Sequence, residues 1–220
     1  MQLKTKILFI LLSLFVAFGA LQFGVQKFIV YPSFIDLEQE QAKTNIDRVN
    51  EAIKVRADNL DILNSDWANW DDTAEFIEDH NQQYINSNLV DETLYNSDLN
   101  FMTFYDLDHN LVWGKVLDLD TETELIKTPF IEIVTDRLLP NIPTYREQDK
   151  GDKAPLLGLM MIEGVPVIIS ARSALSSDNE GPTRGFVVFG RFLTESILQE
   201  IREQTRIDFS ITPALLRFVE

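Results

Sequence analysis

Hydrophobic and polar positions fall into three successive regimes along the chain, each with its own period. From Ile7 to Gln26 no charge interrupts a run dominated by Leu, Ile, Phe, Val and Ala. About twenty apolar residues span a bilayer, so residues 7–30 read as a transmembrane anchor. Lys4 and Lys6 place residues 1–6 in the cytoplasm by the positive-inside bias, and Lys27 and Tyr31 mark the opposite interface. A cleaved signal peptide is the competing reading, with Ala17-Phe18-Gly19 as a poor small-x-small site. The apolar run is longer than a usual signal-peptide core, which favours a retained anchor.

The second regime has a helical period. Ile46, Val49, Ile53, Ala57, Leu60 and Leu63 recur at steps of three and four, which makes one apolar stripe on a long helix. Charged residues from Glu38 to Asp58 fill its other faces. The expectation is a stalk helix over residues 33–64, which Pro32 starts or kinks. Near its end the stripe is expected to pack on its own domain, and nearer the membrane to form a homodimer seam.

In the third regime, residues 65–212, short segments change period. Asn100–Tyr105 and Leu111–Val116 read as a hairpin around the turn residues 106–110. Thr128–Leu139 reads as a helix ended by Pro140 and Pro143, and Arg146–Lys153 as a surface loop. Leu156–Ile162 and Val165–Ala174 read as a second hairpin about Glu163-Gly164. In its second strand Val165, Val167, Ile169 and Ala171 share one face, and Pro166, Ile168, Ser170 and Arg172 the other. Gly185–Phe192 reads as a strand, Leu193–Gln204 as a helix and Asp208–Thr212 as a last short strand. The fold class is therefore α+β: a transmembrane helix continuing into a stalk helix, then an antiparallel sheet flanked by helices. Residues 213–220 form a C-terminal segment.

One stretch is chemically dense. Asp66-Trp67-Ala68-Asn69-Trp70-Asp71-Asp72-Thr73 holds two of the three tryptophans. On one helix Trp67, Trp70 and Asp71 share a face, with Ser65 or Asp66 capping its start. That face reads either as core or as the wall of a ligand pocket. Tyr84 and Phe104 are candidate walls, and Asn88 a candidate hydrogen-bonding group. Arg172, mid-strand, needs a partner. Asp71 or Asp72 is the expected one, and a ligand carboxylate or phosphate the alternative.

Composition narrows the function. A formal charge of −16 opposes nucleic-acid binding. With no cysteine, disulfides, thiol catalysis and Cys-ligated metals are excluded. Asp106, Asp108 and Asn110 begin like a calcium loop, but Leu111 stands where glycine is needed and Leu117 where the closing glutamate belongs. Adjacent Asp71 and Asp72 point about 100° apart on a helix, which does not suit paired-carboxylate catalysis. No phosphate loop, nucleophile elbow or His-Glu-x-x-His occurs. No catalytic residue, metal or cofactor is expected within these residues.

The tryptophan stretch, Tyr84-Ile85, Asn88-Leu89 and the Asn100–Asp106 strand together resemble the CHASE-type extracellular sensory domains of the fourth subclass. Gly181-Pro182-x-x-Gly185-Phe186 with Phe189-Gly190-Arg191 resembles that family's closing strand. The resemblance runs from about Leu37 to about Ile211. It implies a PAS-like or Cache-like periplasmic or extracellular domain. It also implies a receptor whose output is a histidine kinase or a cyclic-di-GMP cyclase or phosphodiesterase, lying beyond residue 220. No ligand identity carries over, so the partner is an unknown small molecule. On that reading the chain is either a fragment of a longer receptor in the inner membrane or a single-span protein acting through a partner. The alternative function is a membrane-anchored interaction module without a small ligand.

Overall fold

The computed structural model describes residues 3–147, 149 and 154–212. The C-terminal segment 213–220 and part of the loop expected at 146–153 lie outside the described residues. The chain divides into two units, one up to Asn50 and one from Glu51 onward.

In the first unit, α1 (Leu3–Val25) is apolar and leads into a wide π-helical turn, Gln26–Val30. The helix α2 (Tyr31–Ala68) follows directly. Pro32 explains the wide turn. It lacks an N–H, and its ring crowds the carbonyl four residues back. The helix responds by widening, so that the Tyr31 N–H bonds the Gln26 carbonyl. The Ser33 hydroxyl donates to the neighbouring Ile29 carbonyl at 2.6 Å. Pro32 thus neither starts nor stops the helix but sits just past the widened turn. Among the described residues this is the one helical run long and apolar enough to cross a membrane. Ile46, the first member of the expected stripe, is 60% exposed.

In the second unit, the last turns of α2 bury Ala52, Ala57, Leu60, Asn64 and Ala68. Ile53, Leu63 and Trp67 pack at the margin. The stripe is therefore real from Ile53 onward, and three alanines allow close approach of the helix to the sheet. Three short helices follow: α3 (Asp71–Asp79), α4 (Gln82–Asn88) and α5 (Asp91–Asn96).

The strands are β1 (Phe101–Tyr105), β2 (Leu111–Asp118), β3 (Thr123–Glu124), β4 (Leu156–Ile162), β5 (Val165–Ala174) and β6 (Gly185–Phe192). They form one six-stranded sheet in the order β3-β2-β1-β6-β5-β4. Every neighbouring pair is antiparallel. The helix α6 (Thr128–Ile133) continues through a π turn and a 3-10 turn to Asn141, close to the expected helix. The last helix, α7 (Glu195–Thr205), ends at Arg206 in the left-handed region.

The sheet is buried on both faces. Met102, Phe104, Ile168, Val187 and Phe189 face α2, α3 and α7. Phe101, Tyr105, Val167, Ile169, Ala171 and Val188 face α6. Strand alternation produces this division, and it agrees with the two phases read for Val165–Arg172. Each fully buried large apolar side chain contributes roughly 1.5–3 kcal/mol.

The β4–β5 hairpin closes on Glu163 and Gly164, with φ of 50° and 83°. Two consecutive positive φ values are what a tight two-residue hairpin turn requires. One expectation fails: residues 208–212 form no strand. The two-residue β3 is an additional strand that was not foreseen.

Candidate ligand groove beside the tryptophan motif

The tryptophan stretch is a helix junction, not the single capped helix expected. The helix α2 runs on to Ala68, whose carbonyl accepts the Leu175 N–H at 2.8 Å. Trp70 is extended (φ −104°, ψ 126°) and serves as the N-cap of α3. Its carbonyl accepts from the N–H groups of Thr73 and Ala74 at 3.0 and 3.1 Å. Neither Ser65 nor Asp66 starts a helix. The carboxylates of Asp71 and Asp72 lie in the first turn of α3 instead, at its positive end.

Trp67 and Trp70 still meet, edge to face, with centroids 6.1 Å apart. Trp67 continues inward to Phe104 and Phe189, at 6.5 and 6.0 Å. Tyr84 stacks on Phe76 at 4.6 Å and lies 5.8 Å from Trp70. The Tyr84 hydroxyl shares a 2.6 Å hydrogen bond with that of Thr73. Burial raises the Tyr84 pKa well above the ordinary phenol value. This aromatic block is core at Phe104 and Tyr84, which are 0% and 4% exposed. It reaches solvent at Trp70, which is 37% exposed.

There it forms one wall of a groove of about 550 Å³ between α3 and α4. Helix α3 supplies Asp72, Glu75 and Asp79, at positions i, i+3 and i+7, which share a helical face. Helix α4 and its cap supply Asn81, Gln83, Ser87 and Asn88, and Trp70 and Tyr84 the aromatic wall. Asn81 holds α4 in place: its side chain accepts the Tyr84 N–H at 2.8 Å and donates to Asp79 at 2.8 Å. No cationic side chain is among the lining residues.

Of the residues expected at a site, Trp70, Tyr84 and Asn88 meet in this groove. The others lie elsewhere. Phe104 is interior and Trp67 sits behind Trp70. Asp71 turns away from Asp72 to the loop after β5. Its carboxylate accepts the Ser177 N–H at 3.0 Å, and the Ser177 hydroxyl accepts the Asp71 N–H at 3.2 Å. The Ser177 N–H, and with it the Ser177 hydroxyl, holds the Asp71 carboxyl below its usual range.

The partner expected for Arg172, Asp71 or Asp72, is instead Asp61 on α2. Arg172 donates from Nε at 2.7 Å and from Nη2 at 2.6 Å. The helix bearing Asp61 lies across this face of the sheet, whereas Asp71 is already engaged by Ser177. Arg172 is thus a helix-to-sheet contact outside the groove. The groove residues that sequence reasoning missed are Asp72, Glu75, Asp79, Asn81, Gln83 and Ser87. The i, i+3, i+7 acidic spacing was the available signal.

The fold is an α+β domain preceded by an apolar helix. The CHASE4 domain model matches residues 52–212, and the chain belongs to that family. It is 26% identical over 173 residues to the methanogenesis regulatory histidine kinase FilI of Methanothrix harundinacea (strain 6Ac). That match takes in 79% of this chain and 19% of FilI, so the chain spans about a fifth of its relative's length. The periplasmic domain of Vibrio cholerae LuxQ is similar at a TM-score of 0.43 and 16% identity, over 74% of this chain and 70% of that one. The extracellular domain of vpHK1S-Z8 gives 0.46 and 11%, over 76% and 62%.

Proposed function

We propose that this chain is the ligand-sensing part of a membrane receptor of the histidine-kinase type. The observation that carries this reading is the CHASE4 match over residues 52–212, beginning shortly after the apolar segment. The histidine-kinase relative favours that output over the cyclic-di-GMP type. Residues 1–6 lie in the cytoplasm, 7–30 cross the inner membrane, 33–64 form the stalk, and 65–212 face outward. The chemistry of the response is carried out by another module.

The ligand binds at the α3–α4 groove, against Trp70, Tyr84 and Asn88. It acts on α2, which pairs with α2 of a second copy. A ligand shifts such a helix only by binding two states of the domain unequally. The test is a thermal-shift screen of the chain in detergent with amino acids, organic acids, amines, nucleosides and sugars. A ligand at a hundredfold excess over Kd stabilises by about 2.7 kcal/mol. A specific hit that Trp70→Ala abolishes supports the reading. Hits that survive Trp70→Ala in a folded variant overturn the assignment of the groove.

A further inference from the structure

We propose that the groove between α3 and α4 selects an elongated organic cation of the aliphatic polyamine class. This deepens the sensor reading above and rests on it. Three features of the groove bear on the chemistry of its occupant.

The first is its shape and wall. It is a concave space of about 550 Å³, ample for a metabolite. A large aromatic residue, Trp70, is 37% exposed, while the neighbouring rings Tyr84, Phe76 and Phe104 are buried. A tryptophan ring is the strongest side-chain partner for an ammonium group.

The second is unneutralised charge. Asp72, Glu75 and Asp79 line the groove with no cationic side chain among its lining residues. Other acids of this domain do find cations. Glu78, one residue before Asp79 and on a different face of α3, pairs with Arg184 at 2.8 Å. Asp61 pairs with Arg172, and Glu195 with Arg202 at 2.6 Å. Asp72 and Glu75 make no ion pair or side-chain hydrogen bond among the described residues. Asp72 is favourably placed at the positive end of α3, but the rest of this face opposes stability. Glu75 and Asp79 are like charges at i, i+4, and Asp79 stands at the negative end of its helix. An acidic face kept at such a cost suits a cationic ligand.

The third is the spacing of the charges. From Asp72 to Asp79 the helix rises by about 10 Å. That is too spread for a single metal ion, and among the described residues no group of three carboxylates or imidazoles converges to hold one. It matches a chain with positive charge distributed along its length. Gln83 and Asn88 on the opposite wall add carbonyl acceptors for the remaining N–H groups.

The test is a tryptophan-fluorescence titration of the full chain in detergent, at fixed ionic strength. Spermidine is the probe, and magnesium and glutamate are comparators. The expected result is a saturable response to spermidine that magnesium does not reproduce. Asp72→Asn/Glu75→Gln should weaken spermidine about tenfold, while circular dichroism and a cooperative thermal transition show that the variant is folded.

No saturable response to spermidine, or equal affinity in the folded double variant, overturns the cation assignment. So does a magnesium response as strong as that of spermidine. If glutamate binds instead, and Trp70→Ala abolishes its binding, the cation class falls while the groove stands as the sensor site. If Trp70→Ala leaves all binding intact, the groove reading falls as well.

Discussion

Arg172 of β5 clamps Asp61 of α2 through two parallel bonds, Nε to Oδ1 at 2.7 Å and Nη2 to Oδ2 at 2.6 Å. The two side chains are only 14% and 15% exposed. The Ser170 hydroxyl adds a third bond to Asp61 at 2.8 Å, and Asn64, one turn along α2, donates to the Ser170 carbonyl at 2.8 Å. Polar contacts therefore fix how this end of α2 lies on the sheet. Removing one partner of a largely buried pair leaves an uncompensated charge and costs about 3–5 kcal/mol. Arg172→Ala and Asp61→Ala should each lower stability by that amount in chemical unfolding followed by circular dichroism. The double variant should cost less than the sum of the two. Additive losses would show that the pair does not act as a unit.

Asp71 and Ser177 predict a pH response. The Ser177 N–H and hydroxyl stabilise the ionised Asp71 carboxyl, so its folded pKa lies below the ordinary 3.8. A depressed folded value means that stabilisation is complete above the unfolded pKa. It is lost as pH falls through the folded value. Asp71→Asn should therefore be less stable than the parent at pH 7, and the gap should shrink below about pH 4. Thermal midpoints measured from pH 7 to pH 3 check this. A gap that stays constant over that range would contradict it.

Much of the fold was legible because the signals were local. The Glu163-Gly164 turn announced the β4–β5 hairpin, and period-two alternation gave both faces of β5. The stripe from Ile53 to Leu63 gave the buried side of α2. What failed depended on distant partners. The break at Asn69-Trp70 interrupts a spacing of Trp67, Trp70 and Asp71 that suits one helix. It is stabilised by Leu175 and Ser177, about a hundred residues away. Asp208–Thr212 has the composition of a strand, but it forms none, and its Phe209 carbonyl accepts from the Arg202 side chain at 3.0 Å instead. The phase of Arg172 was readable, but its partner Asp61 was not, because several acids lay in reach of that phase. The groove was half visible: its aromatic wall stood out in the motif, whereas the acidic face of α3 passed for ordinary polar surface.

The closing strand predicts a size limit at Gly190. A Cβ there would overlap the ring of Phe101 on the paired strand β1. Phe101 is fully buried and cannot swing into solvent. Overpacking of this kind costs typically 1–3 kcal/mol. Gly190→Ala should lower the thermal midpoint, and adding Phe101→Leu should recover part of the loss by vacating space. If Gly190→Ala is neutral, the ring and strand are not in close contact in solution.

Tyrosine burial predicts the alkaline limit of the domain. Burial pushes the Tyr105 hydroxyl up to about 12, and burial raises that of Tyr84 as well, against the opposing effect of its hydrogen bond to Thr73. An unfolded tyrosine ionises near pH 10, so each raised value contributes stability that is complete below pH 10. That contribution is lost as pH rises through the folded value. Stability should therefore fall above pH 10. The absorbance change of phenolate formation should show part of the five tyrosines titrating normally and the remainder only with unfolding. In Tyr84→Phe the normally titrating fraction should be unchanged, while the late step loses one tyrosine. The variant should also lose about 0.5–1.5 kcal/mol at neutral pH with the hydrogen bond to Thr73. If all five tyrosines titrate together near pH 10 while the fold persists, Tyr84 and Tyr105 are open to solvent and the aromatic block behind the groove is not closed.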